Sequence, residues 1–400
     1  MEMTSEAQPD TQVTRPSLPR IFGAFLRLGL TAFGGPAMVS YIGEMAVTRK
    51  QWLSRQSFKE GVAVAQTIPG ATAMQVAAYV GLRSRGLAGA TMAYIGFGLP
   101  ACVFMVALSA VYGVTHSSPI SQSVFHGLQV IVVAILARAA FTFGRTTVKA
   151  WQDAVIGLAA AAYLVLGGNP IWTIVAGAVV GFVLYYSRFE IGGHGESEET
   201  PPPLRSTTRP VLLTMLVALI GLVGLWLLNH RLFDLSALML RIDVFAFGGG
   251  FASVPVMLHE VVDVRHWMSM RVFMDGIAMG QVTPGPIVIT ATFIGYQVAG
   301  IGGALLSTGA IFFPSFVILT LAVPHYDRIK ANPWFQRAMR GILASFVGLL
   351  MAVTVKFSMA VPWTPVSALF ACAAFTVLMF KVDVPWVVVP GSVLSAFLFR

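Results

Sequence analysis

Hydrophobic positions along this chain come in long runs, not in short alternations. Apolar segments lie near 21–45, 58–81, 88–113, 122–144, 152–167 and 170–187. A polar stretch from Arg188 to Arg209 follows, with Glu196, Glu198, Glu199 and Pro201-Pro202-Pro203, the composition of a solvated linker. Apolar segments resume near 210–229, 235–258, 272–298, 301–323, 337–355, 363–380 and 384–399. Runs of about 18 residues or more read as membrane-spanning helices. The pattern predicts six helical segments, a linker with one extra helix, and six more. The short paired segments closing each half are open to being hairpins.

The two groups of six are one unit written twice. Ala32-Phe33-Gly34-Gly35 recurs as Ala246-Phe247-Gly248-Gly249, an offset of 214. Trp52 to Gly70 aligns with Trp267 to Gly285 at an offset of 215, with eight of 19 positions identical. The offset returns to 214 for Gly81/Gly295, Gly86/Gly300, Gly89/Gly303, Pro100/Pro314 and Gly127/Gly341. Apolar bias alone would match Leu, Val and Ala, whereas these matches fall on Gly, Pro, Trp and Gln. The expected division is a disordered cytoplasmic tail at 1–19, a first repeat at 20–188, a polar linker at 189–209, a connecting transmembrane helix at 210–230 and a second repeat at 231–400.

An unpaired helix between the halves inverts the second relative to the first, and loop charge agrees, because Lys and Arg prefer the cytoplasm. The loop at 82–87 carries Arg83 and Arg85 while its counterpart at 296–300 carries neither; Arg328 and Lys330 at 324–336 face an uncharged counterpart at 114–121. With the tail and linker inside, the C-terminus lies outside. One loop disagrees: Arg49, Lys50 and Arg55 fall outside if both flanking segments cross, so one of 21–45 and 58–81 is expected to be re-entrant or broken. Inverted repeats are a transporter architecture.

Composition narrows the class further. Hydrophobic residues make up 56% of the 400 and charged ones 11%, against about 25% charged in soluble domains. Thirteen spans of about 20 residues would use roughly 260 positions. This excludes a soluble enzyme or nucleic-acid binder, and the net charge of +9 reads as cytoplasmic loops. Cys102 and Cys372 are the only cysteines, both in apolar runs, so no disulfide framework is expected. The polar N-terminus shows no secretory signal, and the seven histidines show no metal-ligand spacing. No cofactor is expected: the chain has no GxxxxGK[ST] loop, no HExxH helix and no GxSxG elbow.

Broken-helix signals come in pairs. Phe33-Gly34-Gly35-Pro36 and Phe247-Gly248-Gly249-Gly250 interrupt apolar segments, as do Gln66-Thr67-Ile68-Pro69-Gly70 and Gln281-Val282-Thr283-Pro284-Gly285-Pro286. Glycine adds backbone freedom and proline removes a donor. Such breaks are tolerated at membrane depth only where buried in protein or lining a water-filled cavity. Half-helix N-termini offer free N–H groups and partial positive charge, which suits anions. A lone Gly-Gly would only permit close packing; doubled, discontinuous breaks favour a substrate path.

Charges in apolar segments are also paired by repeat. Arg27 and Arg241 each lie six residues before the Phe-Gly-Gly. Two readings stand: a guanidinium fork for an oxyanion, or snorkelling from a helix end. Glu60 and Asp275 share a second position. They read as helical ion pairs with Lys59 and Arg271 or as intramembrane proton carriers. Glu44 and Glu260 read as boundary charges, and Trp52 and Trp267 as interfacial anchors.

At Phe25-Leu26-Arg27-Leu28-Gly29, Phe33-Gly34-Gly35-Pro36, Trp52, Pro69-Gly70, Phe247-Gly248-Gly249-Gly250 and Pro284-Gly285-Pro286 the chain resembles the chromate transporter family, in its long two-domain form, over about residues 18–400. The resemblance implies a bacterial inner-membrane exporter of chromate, driven by the proton gradient and conferring chromate resistance, with sulfate as the natural mimic. Ala71 departs from the family's motif, which has a second proline after Pro-Gly. The expectation is an all-α inverted-repeat transporter for a tetrahedral oxyanion, with protons and the bilayer as partners, no nucleic acid, and a homodimer left open. A sulfate carrier on the same scaffold and a membrane-embedded enzyme or assembly factor acting on a lipid-linked group are the rival readings.

Overall fold

The computed structural model describes residues 15–33, 36–115, 118–185, 208–380 and 382–399, and among these every regular element is helical. Residues 1–14, Gly34, Gly35 and the linker up to residue 207 lie outside the described residues. The first half comprises α1 (Leu18–Thr31), α2 (Pro36–Gly43, running into a π turn at Glu44–Arg49), α3 (Arg55–Thr67), α4 (Thr72–Thr115), α5 (Pro119–Thr147), α6 (Trp151–Val165) and α7 (Pro170–Leu184). Then comes α8 (Thr208–Leu228). The second half repeats the order: α9 (His230–Val244), α10 (Ser253–Leu258, between a 3-10 turn at Gly250–Ala252 and a π turn at His259–Val264), α11 (Met270–Val282), α12 (Thr290–Ala322), the short α13 (Tyr326–Ala331), α14 (Pro333–Ala360), α15 (Pro365–Met379) and α16 (Pro385–Leu398).

Both the 21–45 and 58–81 segments are hairpins, so the choice of one re-entrant segment is answered by two. α1 has 14 residues and α3 has 13. At 1.5 Å per residue each is about 20 Å long, short of the roughly 30 Å hydrocarbon core. α1 stops where Ala32 turns extended (φ −87°, ψ 112°). α3 stops at Ile68, and Gly70 takes φ +121°, a conformation in which a side chain would be strained. α3 then runs back against the start of α4: Ser57 Oγ lies 3.4 Å from Tyr79 Oη, and a Cβ on Gly61 would sit 2.2 Å from the Tyr79 ring. In the second half Gly276 meets Phe293 in the same way, at 2.3 Å.

Each long apolar run after the Pro-Gly tip then reverses. In α4 the backbone leaves the helix at Arg85 and Gly86 (φ +65°), and in α12 at Ala299 and Gly300 (φ +62°). The two arms press glycine on glycine. A Cβ on Gly81 would lie 2.2 Å from Gly89 O, and one on Gly295 2.3 Å from Gly303 O. This is why the repeat keeps glycine at all six positions. Each first arm therefore ends on the face where its hairpin began, and only the second arm crosses.

The crossings follow. α1 lies parallel to the second arm of α4, because Arg85 Nε donates to Pro16 O (2.6 Å) and Gly29 packs on Phe97. The first face thus gathers Arg49, Lys50, Arg55, Arg83 and Arg85, so the discordant loop falls in line. α4's second arm leads to the second face, and α5, with 29 residues or about 43 Å, returns. α8 crosses again with Leu213, Val217, Ile220 and Leu227 exposed to the bilayer, and the second half starts from the opposite face. The halves embrace at the second arms of α4 and α12, where Tyr94 Oη donates to Phe312 O (2.8 Å).

The closing hairpins change partners. α6 and α7 pack on α14 of the other half, and α15 and α16 pack on α5. Small residues allow it: a Cβ on Gly341 would lie 2.0 Å from Gly177 O, and one on Gly127, its repeat mate, 1.7 Å from Ser395 Oγ.

Candidate functional site

Four helix breaks meet where the hairpins from the two faces touch. Gly70 N donates to Ala246 O (3.0 Å), and Gly285 N donates to Ala32 O (3.2 Å). Gly70 and Gly285 are one repeat position, and Ala32 and Ala246 another, so each Pro-Gly tip is tied to the other half's Phe-Gly-Gly break. Gly248 (φ +92°) and Gly249 (φ +97°) hold the second break open, and a Cβ on Gly249 would lie 3.3 Å from Thr72 Oγ1 at the start of α4. Gly34 and Gly35 fall outside the described residues, and Pro36 is the first residue of α2. Gly250 opens the 3-10 turn before α10.

The tips themselves are firmly seated. Gln75, fully buried, donates through Nε2 to Pro69 O (2.5 Å). Gly285 faces Ala101, and Gly70 faces Ser315, the repeat mate of Ala101. Ala71 lets α4 start at once, with Gln75 N bonded to Ala71 O (3.0 Å). Pro286, at the matching place after Pro284-Gly285, instead leads into a 3-10 turn at Ile287–Ile289. The N-termini of α2, α4, the 3-10 turn before α10 and the turn before α12 all point inward at these breaks. Their first-turn N–H groups bring partial positive charge to the breaks.

Polar side chains at the tips differ between halves. Thr67 Oγ1 donates to Ala63 O (2.6 Å) and Thr283 Oγ1 to Gly280 O (3.1 Å), so both hydroxyl protons are used within their helices. Gln66 is exposed; Gln281 carries a buried Nε2 with no hydrogen-bond partner among the described residues. Arg27 is exposed and makes no side-chain bond to a described residue, while Arg241 is tied to Glu260. Glu260 is 3% exposed and is also held by Arg265. It departs from the expected boundary charge, whereas Glu44 is a surface group paired with Arg49 (2.7 Å). Trp52 is likewise buried, packed inside the protein and not facing outward.

Glu60 and Asp275 lie away from the tips, toward opposite faces. Asp275 is buried and accepts from Tyr112 Oη (2.9 Å) and Gln129 Nε2 (2.7 Å), both from the other half. It walls a cavity of about 790 Å³ that opens on the second face, where Arg271, His126 and Gln122 also line it. Asp275 is eight residues, or about 12 Å, from the Thr283 tip. Glu60 is half-buried near the first face.

Two buried acids escaped the reading of the sequence. Asp153 is fully buried and accepts from Arg340 (3.0 and 2.9 Å), the Tyr185 hydroxyl and the backbone N–H of Lys149 and Ala150. It ties the first half's closing hairpin to α14. On the second face the three repeat mates are Ser367, His126 and Phe399, where a ring contact of 4.7 Å replaces the ion pair. Asp243, near the end of α9, is also fully buried and lies three residues before Ala246. The visible signal was a carboxylate inside the 235–258 run.

The family model described as Chromate transporter matches residues 19–182 and 233–397, one stretch in each half. An uncharacterized transporter of Methanocaldococcus jannaschii is 41% identical over 396 residues, covering 99% of this chain and 98% of that one. A chromate transport protein of Cupriavidus metallidurans is 30% identical over 410 residues, covering 98% and 97%. An uncharacterized transporter of Bacillus subtilis matches 40% of this chain with 93% of its own length, at 26% identity, so a single repeat also occurs as a chain of its own. No solved structure matches. The two matched halves and the full-length relatives place this chain in the chromate transporter family.

Proposed function

We propose that the chain is a secondary active transporter that exports chromate from the cytoplasm across the inner membrane, driven by the proton-motive force. The observation that carries this reading is the reciprocal pair of bonds joining Gly70 to Ala246 and Gly285 to Ala32. Discontinuous helices meeting near the midplane at a repeat interface are the usual setting of a transporter's substrate site. In this reading a tetrahedral dianion displaces those tip contacts. The freed N–H groups of Gly70 and Gly285, with those of Gly34, Gly35, Gly248, Gly249 and Gly250, then coordinate its oxygens, while Pro36, Pro69, Pro284 and Pro286, which carry no N–H, shape the breaks. Gln66, Gln281, Thr67 and Thr283 add neutral bonds, with the free Nε2 of Gln281 the readiest donor. Arg27 is available to the anion, while Arg241 reaches it only by releasing Glu260.

The basic first face is assigned to the cytoplasm, which puts the N-terminus inside and the Asp275 cavity outside. Moving one charge across 100 mV is worth about 2.3 kcal/mol, so a dianion leaving a negative interior gains roughly 4.6 kcal/mol. Proton coupling, with Glu60 and Asp275 as carriers toward the two faces, adds to this. The test is uptake of labelled chromate into inside-out vesicles with and without an imposed proton gradient, with excess sulfate as competitor. Gradient-dependent accumulation supports export. Stronger competition by sulfate than by unlabelled chromate moves the reading to a sulfate carrier, and no accumulation of either anion refutes it.

A further inference from the structure

Among the described residues, Asp243 is the one fully buried carboxylate beside the breaks, three residues before Ala246. Its side chain is fully buried, and Oδ2 accepts from Ser315 N (2.7 Å) and Ser315 Oγ. Oδ1 is equally buried and has no hydrogen-bond partner among the described residues. An unpaired carboxylate oxygen in a protein interior carries a heavy desolvation cost, and such a group is retained where it does work.

Its surroundings bring no compensating charge. α12 offers Ser315 and no charged residue, with Tyr296 on its first arm as its only titratable side chain. α4 brings Tyr94, whose hydroxyl donates to Phe312 O (2.8 Å). α10 has no titratable residue, and the only charged residue of α8 is Arg209, at the end away from the turn into α9. On α9 itself Arg241 is held by Glu260. No group of three or more His, Cys, Asp or Glu occurs among the described residues, so no second acidic or imidazole ligand stands beside Asp243 to hold a divalent cation. A proton is the ion that fits.

The acid is also wired to the moving part. Ser315 Oγ, which Asp243 holds, occupies the space under Gly70: a Cβ there would lie 1.9 Å from it. Gly70 N in turn bonds Ala246 O, on the same stretch as Asp243 (3.0 Å). The repeat mate of Asp243 is Gly29, packed against Phe97, so the arrangement exists once per chain. We propose that Asp243 takes up and releases the coupling proton at Oδ1, and that its charge state sets whether the Gly70 tip stays docked on Ser315. The charged form grips Ser315 and keeps the tip seated; the neutral form loosens that grip and frees the tip to admit the anion. This deepens the transport reading and rests on it.

The test uses the full chain in proteoliposomes, with Asp243→Asn and Asp243→Glu beside the wild type. Asp243→Asn should lose gradient-driven chromate accumulation at least tenfold while exchange of internal for external chromate continues. Asp243→Glu, which keeps the acid, should retain coupling. Infrared difference spectra between acid and alkaline pH are the second readout and need no transport. They should show a protonated-carboxyl band that Asp243→Asn removes and Asp243→Glu shifts. Gradient-driven accumulation by Asp243→Asn at the wild-type level overturns the proposal, as does an unchanged carboxyl band. If Asp243→Asn cannot be purified folded, an unshifted band in Asp243→Glu overturns it equally. A wild type that moves no oxyanion but shows the Asp243 band removes the transport reading and leaves the protonation site standing.

Discussion

Replacing Gly285 by Ala tests the seating of the tips through a partner in the other half. Its Cβ would lie 2.7 Å from Ala101 Cβ, and its φ of +118° is one that L side chains rarely adopt. Carbon atoms pack at about 3.5–4.0 Å, so the tip must withdraw by roughly 1 Å. Overpacking of this kind costs about 1–3 kcal/mol, and backbone strain at a positive φ adds about 1–3 kcal/mol. Gly285→Ala alone should therefore destabilise the protein by about 2–6 kcal/mol. Ala101→Gly removes the facing carbon at a helix cost of about 1 kcal/mol. The double variant should recover the steric part and keep the backbone part. The assay is unfolding of the four proteins in mixed micelles, read as a double-mutant cycle, with an expected coupling of about 1–3 kcal/mol. Effects that simply add, within about 0.5 kcal/mol, would refute a direct contact between the Gly285 tip and the long arm of α4. The matching site is less forgiving. At Gly70 both Ser315 Oγ (1.9 Å) and Ser315 Cβ (2.8 Å) stand in the way, so Ser315→Ala should rescue Gly70→Ala only in part.

Arg340→Met should destabilise by about 3 kcal/mol, because it strands the buried Asp153 carboxylate; adding Asp153→Asn should return most of that loss in thermal unfolding, and equal losses in both variants would contradict the pairing. Gly81→Ala, whose Cβ would be driven into Gly89 O, should force the two arms apart, whereas Gly86→Ala meets open space and carries only backbone strain, about 1–3 kcal/mol at its φ of +65° and ψ of −156°. A higher folded yield and unfolding midpoint for Gly86→Ala than for Gly81→Ala is the expected outcome. With Cys102 and Cys372 replaced, single cysteines at Arg49 and Arg85 should react with an impermeant maleimide from one face, and cysteines at Thr115 and Arg271 from the other. Labelling of positions 49 and 85 from opposite faces would remove the re-entrant hairpins.

The duplication and the inversion were legible because they rest on residues whose roles are geometric. Gly81, Gly86 and Gly89 and their mates recur where two helix arms press together, so hydrophobicity alone could not have preserved them. The hairpins were half legible. A run such as 58–81 has the length of a crossing, and only the mid-run Pro69-Gly70, with the basic residues before and after it, hints that it turns back. Residue pairs remote in sequence were not legible at all. Asp153 and Arg340 are 187 positions apart, and no periodicity links α6 to α14. Nor could pattern alone separate Arg27 from Arg241. They share a repeat position and both are exposed, yet Glu260 pairs with Arg241 while Arg27 makes no side-chain bond to a described residue. Asp243 hid for a related reason: its repeat mate is a glycine, so comparing the halves for identities passes over it.

The exchange of closing hairpins bears on how this protein is made. Gly127 on α5 receives Ser395, which the ribosome adds 268 residues later, and Gly391 receives Ile131. The first half therefore waits in the bilayer with one flank of α5 bare, held by lipid or by the insertion machinery, until α15 and α16 emerge. α14 has no such wait, because α6 and α7 precede it. Loss of the last twenty or so residues would accordingly injure the half synthesised first. A chain built from a single repeat of this kind could never cover its own long helix. It would need a second molecule inserted upside down beside it, which ties its maturation to the concentration and orientation of its neighbours.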